Sequence, residues 1–333
     1  RARHHKIIMV KNILITGGAG YIGSHVTEIL LKKYKKVFLI DNLSTGHRRL
    51  INKKAKFFKL NIHNKNKVND IIKKYQIDSI IHLAANLIIG EGQKKPKKYY
   101  KNNVLGTQKL LDACKNTTVK NFIFSSTAAI YKEGQYKVSE NSIIKPKSVY
   151  GKTKIKAEKL IRKFAKNNKI NYGILRYFNI AGSSPSGKIG LINKNSDHLF
   201  KNFSKELMRK KPKLKIYGTN YKTKDGSCIR DFIHVSDIAE IHYLVLEKIN
   251  QSNISKILNC GYNKGSSVLE VANEFKRQSS KKVDLIYSKR RNNDLIKIIA
   301  SNNNLKKFIK WKPKFNNLGK IVKSCISWEK KIS

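Results

Sequence analysis

A glycine-rich turn near the start of the sequence is the feature that most constrains the fold. The segment TGGAGYIGSH at residues 16–25 joins an apolar run to an amphipathic one. Gly17, Gly20 and Gly23 are spaced G-x-x-G-x-x-G, which suits a tight strand-to-helix turn and close approach of the backbone to a pyrophosphate. Free N–H groups at the start of such a helix favour phosphate. The turn predicts a dinucleotide-binding βαβ unit; the alternative is a turn of the same shape without a ligand.

An acidic residue supports this interpretation. Asp41 ends the next apolar run, 18 residues after Gly23. A carboxylate there accepts hydrogen bonds from the adenosine ribose and repels a 2′-phosphate, so NAD is favoured over NADP as the cofactor. The alternative is that Asp41, or Asn42 beside it, caps a turn.

Short apolar runs alternate with longer amphipathic ones up to about residue 180. This alternation is typical of an α/β protein with a Rossmann-type, doubly wound parallel sheet and right-handed crossovers. The expected strands are Lys11–Thr16, Lys36–Ile40, Phe57–Leu60, Ser79–Ala84, Asn121–Ser125 and Tyr172–Tyr177, and the expected helices are Tyr21–Tyr34, Val68–Tyr75, Asn103–Asn116 and Tyr150–Asn168.

The pattern changes after Asn179. The segment Ala181–Asn195 is rich in Gly and Ser and predicts an irregular loop, and the later elements are shorter. We therefore expect a second, smaller mixed α/β domain. The expected boundaries are 9–180 and 230–250 for the NAD-binding domain, 181–229 and 251–333 for the smaller domain, and 1–8 for an unstructured extension before Met9.

The charge of the chain is strongly positive. It has 71 Lys and Arg against 21 Asp and Glu, a formal charge of +50. Such an excess is typical of proteins that bind nucleic acid or membrane surfaces. Only 11 of these cations are Arg, and the Lys are spread along the whole chain, whereas nucleic-acid readers favour Arg. We interpret the charge as a drift in composition and expect no nucleic-acid partner and no membrane partner.

The remaining composition indicates a cytoplasmic protein. The apolar runs fall short of the about 18 residues that a membrane span needs, and the basic start lacks the apolar core of a signal peptide. We expect neither a metal nor a disulfide framework, because the cysteines form no C-x-x-C pair. They stand at positions 114, 228, 260 and 325.

A tyrosine and a lysine suggest acid–base chemistry. Tyr150 and Lys154 stand four residues apart, on one face of a predicted helix. A neighbouring ammonium and a cationic nicotinamide favour the phenolate form of a tyrosine, whose ordinary pKa near ~10 makes it a poor base. The pair follows Ser125-Ser126-Thr127, at the edge where ligands bind in α/β sheets. We expect Thr127 to hydrogen-bond the same reacting oxygen; the alternative is a strand-end cap.

Further segments occur in a fixed order along the chain. They are DNLSTGH, HLAA, NNVLGTQKLL, SSTAAIY, SVYGKTK, LRYFNIAG, IYGTNYKTKDGSCIRDFIHVSDIA and NCGYNKGSSVLEV. Together with the glycine turn they resemble the extended short-chain dehydrogenase/reductase superfamily and, within it, the UDP-glucose 4-epimerase family. The resemblance covers roughly Met9 to Pro313. The glycine turn and Y-x-x-x-K mark only the superfamily, whereas the stretch from Ile216 to Ala239 is much more specific and resembles the epimerases.

The resemblance implies an isomerase that interconverts UDP-glucose and UDP-galactose with tightly bound NAD. The cofactor would take hydride from sugar C4 while Tyr150 takes the C4 hydroxyl proton. The 4-keto sugar would then turn over and be reduced on its other face. Lys154 would hold the cofactor ribose and keep Tyr150 acidic, and Thr127 would assist the proton transfer.

In the family the second domain holds most of the uridine diphosphate, so the resemblance implies that the smaller domain binds the UDP-sugar. The family's motifs also assign binding residues to this chain. Arg230 and Arg291 would pair with the diphosphate, a bidentate task that suits Arg, and Asp294 would contact the uridine ribose. The implied substrate residues are Thr127, Tyr150, Asn179, His198, Leu199, Arg230, Arg291, Asp294 and Ile298. The implied cofactor residues are Gly17, Gly20, Tyr21, Ile22, Gly23, Asp41, Asn42, Asn61, Ile62, Ala84, Asn103, Tyr150, Lys154 and Tyr177, the last also near the sugar.

Several positions depart from the family pattern. Asn61 stands where an Asp usually contacts the adenine amino group, and its carbonyl can still accept that hydrogen bond. Lys132 replaces a Gly, and Thr127 replaces the Ser of many members. Ile298 stands at the position that gates the sugar C2 substituent. A large aromatic residue there excludes an N-acetyl group and a small residue admits it, so Ile leaves activity on UDP-N-acetyl sugars undecided.

Other activities remain open. A sugar-nucleotide 4,6-dehydratase of the same superfamily has Asp-Glu directly after the threonine, where this chain has Ala128-Ala129. A second alternative is a 4-epimerase of UDP-GlcNAc/GalNAc or UDP-glucuronate. The third is a non-catalytic, basic binding protein, which loss of Tyr150, Lys154 or the glycines would support, and all of these are retained.

A homodimer is also implied. In the family, the helix that bears Y-x-x-x-K and the long helix before it pack against their mates as a four-helix bundle. Val104, Thr107, Leu111 and Cys114 form an apolar stripe of helical spacing on the earlier helix. The alternative is that this stripe simply covers the sheet.

Overall fold

The computed structural model describes residues 12–193, 197–291 and 294–333. The predicted extension before Met9 lies outside these residues, as do Lys11 and the end of the predicted irregular loop. The strands are β1 Asn12–Thr16, β2 Lys36–Asp41, β3 Lys56–Lys59, β4 Ser79–His82, β5 Asn121–Thr127, β6 Lys137–Val138, β7 Asn171–Tyr177, β8 Asn179–Ala181, β9 Lys213–Tyr217, β10 Ile229–Arg230, β11 Phe232–His234, β12 Lys256–Cys260, β13 Ser266–Ser267, β14 Asp284–Ser288 and β15 Lys297–Ala300.

Helices alternate with these strands in the first half of the chain. A π-helical turn, Tyr100–Leu105, leads into the fifth of them. The helices are α1 Tyr21–Leu30, α2 Lys65–Lys74, α3 Ile89–Lys94, α4 Pro96–Tyr99, α5 Gly106–Ala113, α6 Val149–Asn168, α7 Leu199–Leu207, α8 Val235–Ser252, α9 Val268–Gln278, α10 Asn303–Phe308 and α11 Leu318–Ile332.

The central sheet has seven strands in the order β12-β7-β5-β4-β1-β2-β3, and its neighbouring strands pair in parallel. Ile15 of β1, for example, lies opposite Leu39 on one side and Ile81 on the other. All three side chains are fully buried, as expected for parallel strands that helices cover on both faces. The predicted Rossmann-type fold is therefore confirmed. Strand order reverses between β1 and β4, which opens a crevice at their carboxyl ends.

One strand of this sheet comes from a segment that we assigned to the smaller domain. β12 pairs with β7, with Leu258 opposite Leu175, so the assignment of residues 256–260 to that domain was wrong. The run KILNC is only five residues long, and its sequence does not indicate which sheet it joins. The preceding helix α8 packs against α1 and β7, which places it beside the central sheet.

Smaller sheets stand beside the carboxyl edge of the central sheet. One has the order β13-β10-β15-β6, and the pairs β8–β11 and β9–β14 form two others. Arg230 lies opposite Ile298 in the first of these. The neighbouring Asp231 is fully buried and accepts backbone hydrogen bonds from Tyr262 at 2.8 Å and Ala300 at 3.2 Å. This carboxylate fastens β10 to β15 and to the loop after β12.

The proposed dimer stripe packs inward. Thr107, Leu111 and Cys114 are buried and Val104 is half-buried. Leu111 and Cys114 belong to the same apolar cluster as Phe122 of the central sheet. The idea that this stripe contacts a second copy was wrong, because the helix uses that face to cover its own sheet. Leu105 is 55% exposed on the opposite side.

Candidate active site

An elongated cavity of about 720 Å³ lies at the carboxyl ends of the central strands. Its volume is within the range of ligand pockets. The residues on its wall come from the glycine turn, from the ends of β2, β4, β5 and β7, and from the smaller sheets. The predicted site residues that line it are Gly17, Gly20, Tyr21, Ile22, Gly23, Asp41, Asn42, Asn61, Ile62, Ala84, Thr127, Tyr150, Tyr177, Asn179, His198, Leu199, Arg230, Arg291, Asp294 and Ile298.

The glycine turn is packed too closely for side chains. Gly17 has a φ of +75°, and a Cβ atom on it would lie 2.7 Å from the backbone nitrogen of Ala84. A Cβ atom on Gly23 would lie 2.2 Å from the carbonyl oxygen of Gly17. Gly20 stands at the cap of α1 and has no side chain to bond the first-turn N–H groups. These groups remain available to a phosphate.

Asp41 places a carboxylate at the end of β2. The carboxylate accepts hydrogen bonds from the backbone nitrogens of Ala19 at 3.1 Å and Leu43 at 2.8 Å. Burial raises the pKa of Asp41 above its ordinary value, and these two hydrogen bonds oppose the rise. An ionised carboxylate has about four acceptor sites, so it retains capacity for two ribose hydroxyls. Asp41 thus caps the turn and faces the cavity.

The two asparagines at the cofactor end form local turns. The side-chain oxygen of Asn42 accepts from the backbone nitrogen of Ser44 at 3.0 Å, and that of Asn61 accepts from His63 at 3.0 Å. An amide oxygen has two lone pairs. The Asn61 carbonyl therefore retains one acceptor position for the adenine amino group that we expect there.

Helix α6 brings Tyr150 to the end of β5. The Ser148 side chain caps the helix by accepting from the backbone nitrogen of Gly151 at 3.0 Å. A Cβ atom on Gly151 would lie 2.5 Å from the Ala129 carbonyl oxygen, so only glycine allows the helix to approach the loop after β5 this closely. Burial of the hydroxyl raises the pKa of Tyr150 to about 12, and a hydrogen bond with Thr127 acts against the rise.

Lys154 lies behind Tyr150 and is almost fully buried. Its ammonium donates to the carbonyl oxygen of Ser125 at 2.8 Å and lies 4.8 Å from the centre of the Phe124 ring and 5.9 Å from that of Tyr150. Burial lowers the pKa of Lys154 to about 7, and the nearby carboxylate of Glu158 opposes this. The ammonium therefore lies beneath the Tyr150 ring rather than on the cavity wall.

Asn103 is the other predicted residue behind the wall. Its side chain bonds the backbone nitrogen of Asn86 at 2.8 Å, the carbonyl oxygen of Asn86 at 3.0 Å and the Thr153 hydroxyl at 3.1 Å. These contacts join the loop after β4 to α6. Asn103 therefore acts on the shape of the wall, and its direct contact with a cofactor remains a prediction.

Two predicted residues line the cavity while their polar atoms bond protein. The Tyr177 hydroxyl lies 2.6 Å from Nε2 of His242, whose Nδ1 lies 2.8 Å from the Ile238 carbonyl oxygen. Since Nδ1 must donate to that carbonyl, Nε2 accepts and Tyr177 donates. Nε2 of His198 bonds the carbonyl oxygen of Ile180. Tyr177 therefore presents the side of its ring, not a free donor, to the cavity.

The far end of the cavity is lined by charged side chains. Arg230 forms an ion pair with Asp294 and donates to the Ile229 carbonyl oxygen at 2.8 Å. The Arg291 guanidinium lies 4.1 Å from the centre of the Tyr217 ring, a cation–π contact. The predicted phosphate and ribose residues are thus brought together, and in this structure Arg230 and Asp294 bond each other.

A sequence profile of the NAD dependent epimerase/dehydratase family matches residues 13–261. The chain belongs to this family. It is 37% identical over 319 residues to the UDP-glucose 4-epimerase of Halalkalibacterium halodurans. The alignment covers 96% of this chain and 95% of the relative.

Solved structures of the epimerase/dehydratase family support the assignment. The UDP-glucose 4-epimerase from Brucella ovis in complex with NAD superposes with a TM-score of 0.90 at 33% identity, covering 95% of this chain and 97% of that one. The UDP-Glc/GlcNAc 4-epimerase from Campylobacter jejuni has a TM-score of 0.84 at 36% identity, covering 96% and 99%.

NAD, the cofactor of the family, fits the residues present. The glycine turn leaves a cradle that a Cβ atom on Gly17 or Gly23 would disturb, and the start of α1 offers N–H groups for the pyrophosphate. Asp41 supplies acceptors for the ribose diol. The Lys154 ammonium lies at the inner end, beneath Tyr150.

Several residues of this site were not predicted from the sequence. Tyr217 and Lys215 of β9 line the same cavity as Arg230 and Asp294, and Phe178 lines the wall beside Ile298. Tyr217 lies inside the epimerase-specific segment IYGTNYKTKDG, which was the available signal. Glu158 stands two helical turns after Tyr150 on the same face, and that spacing was its signal.

In the part of the chain that the structure describes, no helix is long and apolar enough to cross a membrane.

Proposed function

We propose that this chain is a UDP-glucose 4-epimerase that interconverts UDP-glucose and UDP-galactose and keeps NAD bound throughout. One observation carries the proposal: Tyr150 and Thr127 line the same cavity as the glycine turn and the pair Arg230–Asp294. The cavity therefore joins the residues expected to bind the cofactor to those expected to bind the nucleotide sugar, and Tyr150 also lines it. Relatives named UDP-glucose 4-epimerase, which match almost the whole chain, support this activity.

The chemistry of this chain's residues centres on one proton. NAD, when bound, supplies the site that takes up and returns the C4 hydride. Tyr150 accepts the C4 hydroxyl proton and later returns it, and the Thr127 hydroxyl holds the phenol oxygen in place. At neutral pH a phenol with a pKa of about 12 is a poor base. The Lys154 ammonium stabilises the phenolate, because an opposite charge close by favours the ionised form.

A 4,6-dehydratase is the less favoured reaction. That chemistry eliminates water and needs an acid and a base beside the sugar. The two residues after Thr127 are Ala128 and Ala129, which begin a short 3₁₀ turn. Methyl side chains cannot transfer protons, so this part of the wall supports epimerisation.

The sugar preference depends on the wall around Ile298. This side chain is 6% exposed and packs in an apolar cluster with Phe178 and Ala300. The similarity to the Campylobacter jejuni UDP-Glc/GlcNAc 4-epimerase favours UDP-GlcNAc as a second substrate. A panel of UDP-Glc, UDP-GlcNAc and UDP-GlcA, each without added cofactor, tests this choice. Product analysis that found a 4-keto-6-deoxy sugar would replace the epimerase proposal with dehydratase.

Tyr150→Phe tests the mechanism. We expect interconversion to fall by about 100- to 10,000-fold, the usual contribution of a general acid–base group, while the protein still retains NAD. Tyr136→Phe is the matched control, because Tyr136 is 48% exposed outside the cavity and the change should leave turnover unaltered. Full turnover by Tyr150→Phe would contradict the assigned role.

We further propose that the chain is a cytoplasmic homodimer. All four cysteines are free thiols and buried, which suits a reducing compartment. Leu105, the last residue of the π-helical turn before α5, is exposed. Light scattering should give twice the monomer mass, and Leu105→Lys should lower it. Monomeric wild-type protein at working concentrations would contradict the dimer.

A further inference from the structure

Helix α6 contains one acidic residue, Glu158, among seven Lys and Arg. Its side chain is 2% exposed. It stands four residues after Lys154 and eight after Tyr150, so the three side chains share one face of the helix. A buried carboxylate next to a catalytic pair calls for an explanation, since burying a charge is costly unless it is paired.

Two side chains from the central sheet hold this carboxylate. Arg176 of β7 donates to it twice, from Nη2 at 2.8 Å and from Nε at 3.1 Å. The Ser126 hydroxyl of β5 donates to it at 2.5 Å. Buried ion pairs of this kind are weak contributors to stability, and apolar replacements are often as stable. The pair therefore points to a role beyond stability.

Three side chains of α6 contact the end of β5. Tyr150 meets Thr127, Lys154 meets Ser125, and Glu158 meets Ser126. Three successive turns of the helix are thereby joined to three successive residues at the strand end. Glu158 is the last of these contacts along the helix, and its hydrogen bond with Ser126 ties this turn of α6 to the strand end.

We propose that Glu158 is a positioning residue for the Tyr150–Lys154 pair. It acts through Lys154 and does not touch the substrate. The proposal rests on the proposed function for its effect on turnover. Its physical content is that the carboxylate favours a protonated lysine and so raises the share of the pair that is phenolate with ammonium.

The charged and titratable groups around Lys154 come from three elements. Tyr150 and Glu158 lie on its own helix, and Arg176 lies behind Glu158 on β7. His82 of β4 is neutral, because burial lowers its pKa to about 3 and the Lys154 charge adds to this effect. Glu158 is thus the anion in this set that favours a protonated lysine. Burial lowers the pKa of Lys154, and the charge of Glu158 acts in the opposite direction.

The pH dependence separates this role from a purely structural one. Tyr150 and Lys154 share protons and titrate as a pair. Loss of the first proton gives either phenolate with ammonium or phenol with amine, and only the former is active. In Glu158→Gln the Lys154 ammonium loses its counter-charge, so the pair loses its first proton at lower pH. The proton that remains on the pair then lies more often on the Tyr150 phenol. We expect the acid limb of kcat to shift down by roughly one pH unit and the plateau to fall about tenfold.

A second readout needs no sugar nucleotide. The ultraviolet absorbance of tyrosinate is measured on the NAD-containing protein on the plateau of the pH profile, with Tyr150→Phe in each background as the blank. We expect a smaller tyrosinate signal in Glu158→Gln than in the wild type. Because this signal does not depend on turnover, it would stand even if the wild type failed to convert UDP-glucose, an outcome that would refute only the proposed function.

Ser126→Ala is the matched control. It removes one hydrogen bond to Glu158 but leaves the carboxylate and Arg176 in place, so the acid limb should stay where it is in the wild type. If Glu158→Gln unfolds because it leaves Arg176 unpaired, the double variant Glu158→Gln/Arg176→Gln, which buries no charge at either position, replaces it under the same criteria. The proposal is overturned if Glu158→Gln leaves both the acid limb and the tyrosinate signal as they are in the wild type. It is also overturned if Ser126→Ala shifts the acid limb as far as Glu158→Gln does.

Discussion

The two ends of the cavity are built in different ways. At the cofactor end the backbone makes the surface: Gly17 and Gly23 pack without side chains, and Asp41 is held by two backbone N–H groups. At the nucleotide end long side chains make it: Arg230 pairs with Asp294, and Arg291 lies over an aromatic ring. A surface made by the backbone leaves little freedom at each position, whereas charged side chains can exchange one partner for another.

This difference means that changes at the two ends should differ in kind. A backbone-built surface fails when any atom is added, because neighbouring carbonyl and N–H groups cannot move aside. A side-chain surface loses affinity in proportion to the hydrogen bonds removed and keeps its shape.

Gly23→Ala should abolish NAD retention. The added methyl group would lie 2.2 Å from the Gly17 carbonyl oxygen, and the forced shift should destabilise the fold by about 1–3 kcal/mol. NAD content after purification and the thermal midpoint measure the two effects. Gly90→Ala is the matched control, because its Cβ atom would meet nothing within 4 Å. Equal NAD content in the two variants would contradict a backbone-built cofactor end.

Arg230→Ala should weaken substrate binding and leave NAD in place. Loss of a charge-assisted hydrogen bond costs about 1.5–3 kcal/mol, so KM for the UDP-sugar should rise about 10- to 100-fold. Steady-state kinetics and NAD content provide the measurement. Arg277→Ala is the control, since Arg277 pairs with Glu274 on the exposed side of α9. Loss of NAD in Arg230→Ala would show that the two ends are not independent.

Asp41→Asn should weaken NAD binding about tenfold and reduce discrimination against NADP, because the negative charge that repels a 2′-phosphate is removed. Competition binding with the two cofactors measures the ratio. Asp70→Asn provides the same change at an exposed position of α2. If the preference for NAD is undiminished in Asp41→Asn, the carboxylate serves only as a turn cap.

Ile298→Tyr should have the smallest effect on overall turnover and act on selectivity. A larger side chain reduces the space in the cavity beside Ile298, so the ratio of kcat/KM for UDP-GlcNAc to that for UDP-Glc should fall by roughly tenfold. The substrate panel gives this ratio directly. Ile286→Tyr on β14, where the side chain is 40% exposed, should leave the ratio unchanged. If Ile298→Tyr leaves this ratio unaltered, another residue controls access of the sugar C2 substituent.

Much of the first half of the fold was predictable because its signals are local. The expected strands there form with ends within two residues of the predicted ones, since each apolar run is short and bounded by turn residues. β12 was misassigned because five residues with weak periodicity do not encode their neighbour. The apolar stripe along α5 was interpreted as a dimer surface because helical spacing shows which side of a helix is apolar but not what packs against that side.

The same reasoning applies to the site. Gly17, Asp41, Tyr150 and Lys154 were identified from spacing within single segments. The Arg230–Asp294 ion pair and the Tyr217–Arg291 contact join positions more than 60 residues apart in the sequence. Local spacing carries no information about such pairs.

The sequence by itself determined the turn that only glycine can form, the carboxylate after the second strand and the helical register of the Tyr–Lys pair. These depend on backbone sterics and on the period of a helix, which act over a few residues. Only the tertiary structure decided that Glu158 is buried against Arg176 and Ser126, that Tyr177 donates to His242, and that Arg230 reaches Asp294. Those contacts depend on how distant segments pack, and burial is what gives their charges and hydrogen bonds their strength.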